Sequence, residues 1–538
     1  MRIDNDLDRT HEDVAGRIDF NYRLHDNPIT SVDVGARWSE LSYFDQTASA
    51  GGTGTEDHRI TLEPERLSGG SGETLAALAS CQTDFPETGF LSALYSGNIF
   101  TVNGDDPTVN ASASGNTFAT LDNNCFNATI LSAFGLSGSN LSDIDFPELT
   151  TGITTSDITE TTIAGYVKAN YETSYNGLPI RGNVGLRVVN TDVDSIGFRA
   201  NQTIVDNGDG TFSLDTDSDT LIADEAGSSY TEFLPSFNLI VDVNDDVLVR
   251  GAIFRGLSRI DPSDLNNRRL LSVNNDENEN GATSIEDLLG DPTAFGNPDA
   301  DPLASWNFDA AVEWYPNADS ILTLGGYYKR FTGGLETLQT TETFNIDGQD
   351  VTLPINVQQV NDEASDLFGL EVSLAHRFSY LPGALSGLGV KAGYNFADSN
   401  FEFNDSDLGA AGIRDADGNF TQTAVGIVAP ANVPGFSRNV FSGQIYYQIG
   451  EFDIAGIVKH RSRYFQPFTT DGTVLRFVDA ATVFEAKASY KLNDNFKLSF
   501  QAINLLNEER RDTFRTTENF GQANVYGPRI FFGVKGIF

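Results

Sequence analysis

Apolar and polar residues alternate with a period of two along most of this chain. Val14, Gly16, Ile18, Phe20 and Tyr22 alternate with Arg17, Asp19, Asn21 and Arg23; after HDNP, Val32, Val34, Ala36 and Trp38 resume the pattern. It returns over 163–171, and the turn sequence YNGL leads straight into 180–192. The later pairs are 233–241 with 247–253, 306–314 with 322–328, 366–378 with 385–399, 437–449 with 453–464, and 480–491 with 495–504. Alternation of this kind predicts strands with one apolar face, about fifteen of them at roughly ten residues each. The last, residues 526–538, places Ile530, Phe532, Val534, Gly536 and Phe538 on one face and both charges, Arg529 and Lys535, on the other. Taken alone, it suits an edge strand of a soluble sandwich equally well.

The spacing between strands separates the two readings. Short turns near 25–28, 176–179, 243–246, 316–318, 380–384, 450–451 and 492–494 take turns with long polar segments. Those segments are 46–160, 198–230, 258–303, 333–365, 400–436, 463–479 and 505–526. A sandwich gives no reason for such regularity, because both of its ends are wet. A barrel in an outer membrane does, with tight turns at its periplasmic end and long loops outside. Charges within strands also keep to one parity, as Asp453, Lys459 and Arg461 do against Phe452, Ile454 and Val458. The fold class is therefore all-β: a transmembrane antiparallel β-barrel of outer-membrane type. All the long segments are expected at one end, with 46–160 the longest extracellular loop.

Composition narrows this further. With 51 Gly, 38 Phe, 17 Tyr and one Met in 538 residues, the chain favours strands and turns over helices. It contains no run of about 18 apolar residues, so a helical span is excluded and a barrel is not. A formal net charge of −42 excludes nucleic acid as a partner. Much of that charge lies in 46–160, 198–230 and 258–303, a surface that attracts cations and suits a salty habitat. Cys81 and Cys125, the only cysteines, fall in the same long loop. Bonded, they would close a loop of about 45 residues, worth roughly 4 kcal/mol in the chain-entropy account; two free thiols are the alternative.

Catalytic chemistry finds no support. His11, His25, His58, His376 and His460 lack metal-ligand spacing. Gly387, Gly389 and Ala392 have dinucleotide-fingerprint spacing, but inside a strand with no helix following. Asp276, Asn278, Asn280, Gly281 and Asp287 occupy positions 1, 3, 5, 6 and 12 of a calcium-loop pattern, with Asp for the final Glu. Ca2+ is thus a candidate ion, against the plainer reading of an acidic, asparagine-rich loop. Asp206, Asp209 and Gly210 read as a turn. Tyr43, Phe44, Phe85, Phe90 and Tyr95 could stack on sugar rings or form a cluster that pins the loop.

Several stretches, in order, resemble TonB-dependent outer-membrane receptors: 233–265 with its Leu-Pro-Ser strand, 296–331 with Gly-Asn-Pro and Tyr-Tyr-Lys, 368–372, 386–394, and NLLN at 504–507 before an aromatic terminus. The usual Arg-Pro is replaced by Arg259, Ile260, Asp261 and Pro262. The resemblance implies a receptor for nutrient uptake rather than an enzyme, in the outer membrane of a Gram-negative bacterium. Its partners would be membrane lipid, the barrel-assembly machinery reading the 530–538 alternation, the inner-membrane TonB complex acting through a plug, and a small-molecule nutrient. The acidic rim disfavours strongly anionic ferric chelates, and carbohydrate is the expected substrate class. Such receptors carry a signal peptide, a plug and about 22 strands, so residues 1–538 are expected to be a partial barrel unable to transport alone. A plug-less porin and a secreted calcium-dependent adhesive β-protein are the rival readings.

Overall fold

The computed structural model describes residues 2–4, 7–25, 28–47, 59–61, 80–85, 118–133, 151–361, 363–415, 417–467 and 474–536. Two compact units form: Met1–Arg9 with Asp45–Thr154, and Thr10–Phe44 with Thr155–Phe538. In the smaller unit, strand Gln82–Phe85 pairs antiparallel with Phe118–Leu121, and helix Asn123–Ala133 follows at once. Asp122 caps that helix, its carboxylate accepting from the Asn124 and Cys125 amides at 2.9 and 3.1 Å. Cys81 is bonded to Cys125, with Cα atoms 5.4 Å apart.

The larger unit is dominated by one antiparallel sheet. Its strands are β1 (Leu7–Arg23), β2 (Ile29–Thr47), β3 (Ser156–Tyr175), β4 (Leu178–Asp206), β5 (Phe212–Asn244), β6 (Val247–Ser258), β7 (Leu303–Asn317) and β8 (Ser320–Phe331). They continue as β9 (Ser365–Arg377), β10 (Leu388–Ser399), β11 (Asn439–Ile449), β12 (Phe452–Arg461), β13 (Ala481–Lys491), β14 (Phe496–Ile503) and β15 (Arg529–Gly536). Each pairs with its sequence neighbours in an unbroken 15-stranded meander. Connections must then alternate between the two ends of the sheet. Within this unit the tight turns share one end and the long connections the other, with the short β4–β5 turn at the latter. The β3–β4 turn shows why the short ones can be so short. Asn176 and Gly177 both take positive φ, 51° and 82°, the two-residue geometry that matches strand twist.

One expected loop is absent. Residues 198–230 are not a polar loop: β4 runs to Asp206 and β5 starts at Phe212, in register from Asp206–Phe212 back to Ile180–Val241 apart from one shift after Ala200. Only 207–211 remain as a turn, with Gly208 and Gly210 at φ 79° and 91°. The hairpin is longer than a membrane requires because its far end is covered on one face. Leu214 joins Leu271, Leu288 and Leu289 of connection 259–302 and Phe344, Ile346, Leu353 and Ile355 of connection 332–364 in a buried cluster. The latter connection is itself a hairpin, Leu335–Ile346 with Gln349–Val360, rather than irregular chain. A second cluster, Phe465, Leu475 and Ala431 with Phe403 and Phe477 against it, unites connections 400–438 and 462–480. Each fully buried Leu, Ile or Phe contributes about 1.5–3 kcal/mol, so these connections are folded bodies rather than tethers.

Candidate functional site

The two faces of the sheet differ in kind. On one, Phe308, Tyr328 and Phe368 lie in a row across β7–β9, as do Val312, Leu324 and Val372, and Trp314, Leu322 and Leu374. Apart from the half-buried Leu322 these side chains are exposed, and the same parity continues through Ile445 at 69% and Phe532 at 82% exposure. In water so broad an apolar face would drive association; against lipid it is at home. From Trp306 to Trp314 it spans about 26 Å along the strand, near the height of an outer-membrane barrel's apolar band. Phe532, Ile530 and Val534 belong to this face, whereas Phe538 lies outside the described residues.

The opposite face is polar and heavily bonded. Across β1–β3, the Tyr166 hydroxyl donates to Asp19 at 2.6 Å, Arg17 pairs with Asp19 at 2.6 Å, and Lys168 with Asp33 at 3.1 Å. Asn170 donates to Asp33 at 2.9 Å. Farther along, Arg181 pairs with Asp242, Arg250 with Glu313 at 2.6 Å and Lys459 with Glu485 at 2.7 Å. Between them the wall opens into two adjoining concavities. One of about 320 Å³ is lined by Asn238, Arg250, Asp309, Tyr327 and Glu371. The other, about 340 Å³, shares Glu371 and adds Ser373, Asn395 and Ser442. Asn395 donates to Glu371 at 2.8 Å, so the two share a hydrogen-bonded divide. Small residues make the room: Ala311 pairs with Gly325, and Gly393 with Ser442. Such a wall offers hydrogen-bond donors and acceptors to a solute moving past it.

The rim is tied together by buried charge. Arg269, 5% exposed, holds Glu342 by two bonds of 2.8 and 2.9 Å, and Arg199 holds Asp224 at 2.7 Å. Asp405, 2% exposed, accepts from Arg515 Nε at 2.8 Å and from the Leu475, Asp407 and Leu408 amides at 3.0, 3.1 and 3.0 Å. Burial opposes its ionisation, but these donors outweigh burial and hold the carboxyl at about 2.

Asn275–Asn280 is a short helix, not a wrapped loop, and the Asn278 amide accepts from Leu214 N at 2.6 Å and donates to Leu214 O at 3.2 Å. The Asn280 amide donates to the Asp276 carbonyl at 2.7 Å, and Asp287 lies in the next short helix, Ile285–Leu288. Among the described residues no three His, Cys, Asp or Glu side chains converge on a metal position. Tyr43 is buried with Ile158, Val193, Leu265 and Ala300. The side chain of Phe85, and Phe90 and Tyr95 entirely, lie outside the described residues. His376 contacts Ser320 at 2.6 Å and His460 contacts Thr482 at 2.9 Å, each within the sheet. Gly389 lies in β10, opposite Tyr446. Neither the rim ion pairs nor the wall concavities were legible in advance, because their members come from different strands and connections.

A family model described as TonB dependent receptor-like, beta-barrel matches residues 2–505. The chain belongs to the TonB-dependent receptor family. That places it in the outer membrane of a Gram-negative bacterium, in a family of transporters rather than enzymes. No curated protein sequence matches it. Among solved structures, it is similar to the ferric-catecholate import receptor Fiu of E. coli K12 in closed form, at 12% identity and TM-score 0.49, over 98% of this chain and 55% of that one. The ferric citrate transporter FecA, unliganded, is 10% identical with TM-score 0.47, over 98% of this chain and 55% of that one. The siderophore receptor PirA from Acinetobacter baumannii is 10% identical with TM-score 0.43, over 98% and 63%. The chain thus spans between 55% and 63% of the length of these three structures.

Proposed function

We propose that this chain is the greater part of the barrel of a TonB-dependent transporter that brings a small-molecule nutrient across the outer membrane. The observation that carries the reading is the sheet itself: an apolar face for lipid, a hydrogen-bonded charged face for a wet lumen, and a rim of folded loops. Among the described residues β1 and β15 each pair on one side only. Backbone groups left open to lipid cost several kcal/mol apiece, which supports a barrel completed by further strands. Coupling would pass through a plug to the inner-membrane TonB complex. Carbohydrate is favoured over ferric chelates, because the acidic rim repels polyanions while the wall presents Asn238, Asp309, Glu371 and Asn395 for hydroxyl groups.

The test has two arms. Expressed as residues 1–538 alone, the chain should aggregate or be degraded; together with the sequence encoded upstream, it should give a heat-modifiable outer-membrane species. A stable, heat-modifiable barrel from residues 1–538 alone would replace the partial barrel with a plug-less porin. In cells, uptake of a labelled oligosaccharide should require both this gene and the TonB complex. Uptake of a labelled ferric chelate in its place would overturn the substrate class.

A further inference from the structure

A third concavity in the polar wall, of about 220 Å³, is lined by Arg37 of β2, Arg187 of β4 and Arg259 just beyond β6. Three arginines in one recess are unusual in a chain with 76 acidic and 34 basic residues, where carboxylates are abundant enough to neutralise each of them. Arg259 is neutralised: it pairs with Glu160 at 2.6 Å and bonds the Thr162 hydroxyl. Arg37 and Arg187 make no hydrogen bond or ion pair among the described residues. The neighbouring wall behaves differently, with Arg17, Lys168 and Arg181 all paired to aspartates. The rest of the lining divides into hydroxyls, Ser39 and Thr162, and apolar side chains, Val189, Leu234 and Leu257.

We propose that this recess holds an anionic oxygen group of the transported ligand and, resting on the carbohydrate reading above, that the ligand is an acidic sugar such as a uronate. Guanidinium groups bind carboxylates in forked geometry that few other side chains offer. Val189, Leu234 and Leu257 suit the C–H face of a sugar ring, and the hydroxyls suit its oxygens. The recess also reconciles two facts about charge. The acidic rim discourages polyanions, but at physiological salt a single carboxylate is screened over about 8 Å and can reach the arginines.

The experiment uses the chain expressed together with the sequence encoded upstream, purified from outer membranes in neutral detergent and titrated calorimetrically with glucuronate, glucose and succinate. Glucuronate should bind at least tenfold more tightly than glucose, from which it differs only by the carboxylate. R37Q/R187Q should erase that margin, and R37K/R187K, which keeps the charge without the fork, should keep only part of it. Equal binding of glucuronate and glucose, or an undiminished margin in a heat-modifiable R37Q/R187Q protein, overturns the site. Succinate binding as tightly as glucuronate supports the anion site while removing the sugar from the reading. Should the glutamine variant fail to fold, salt decides: glucuronate affinity that does not fall between about 50 and 500 mM NaCl overturns the proposal.

Discussion

Asp405 is the joint of the second rim body, and its replacement by asparagine gives the sharpest prediction. Its carboxylate gathers Arg515 and the amides of Leu475, Asp407 and Leu408. Connections 400–438, 462–480 and 504–528 thus meet at one side chain. The folded carboxyl titrates at about 2, below its ordinary 3.8. By linkage, that difference is worth about 2 kcal/mol. Because the folded value is the lower one, this stabilisation is complete above pH 3.8 and drains away as pH falls toward 2. Asp405→Asn removes the charge at any pH and puts a donor where one acceptor stood. Local opening should then cost about 2 kcal/mol less, which corresponds to roughly thirtyfold faster exchange of the Leu475 amide. Hydrogen–deuterium exchange of the purified protein at pH 7 reads this directly. Amides of Leu353 and Ile355, in the other rim body, should keep their protection. Unchanged exchange at Leu475, or equal acceleration at Leu353, would refute the clamp.

Three further outcomes follow from the same geometry. Gly197→Ala should destabilise the hairpin extension by about 1–3 kcal/mol, because a Cβ there would lie 2.2 Å from the Asn267 carbonyl oxygen; Gly456→Ala, with nothing within 4 Å, is the control, and thermal melts of the heat-modifiable band compare them. Arg269→Ala should leave the half-buried Glu342 without its partner at a cost of about 1–3 kcal/mol, seen as new protease cleavage within 335–360. Cys81 and Cys125 should resist alkylation until reduced, and Cys81→Ser should make the small unit the first site of proteolysis; mass analysis of tryptic fragments measures both.

Local sequence spelled out what depends on local periodicity. Strands facing lipid alternate cleanly because one side meets a uniform apolar solvent, so β7, β9 and β12 could be read from Trp306, Phe368 and Ile454 alone. The β4–β5 extension could not. Its covering surface is supplied by residues far along the chain: Gln202, 2% exposed, donates to the Leu271 carbonyl at 3.3 Å, a partner 69 positions away. A segment buried by distant loops shows no period of its own and passes for polar loop. The Asn278 case is similar. Spacing suggested a ligand oxygen, yet that amide bonds both backbone groups of Leu214. Asp405 and Arg515 stand 110 residues apart, beyond any motif.

The cluster around Leu214 also bears on how this rim can change over generations. Its members derive from β5 and from connections 259–302 and 332–364, so no one of these segments carries a complete core. A relative that exchanged only its 335–360 hairpin by recombination would inherit Phe344 and Ile355 without the leucines they meet. The three segments must therefore be inherited as one block, while surface positions such as Thr341 or Asn356 drift freely. Moving this folded body onto another barrel would need all three segments moved together.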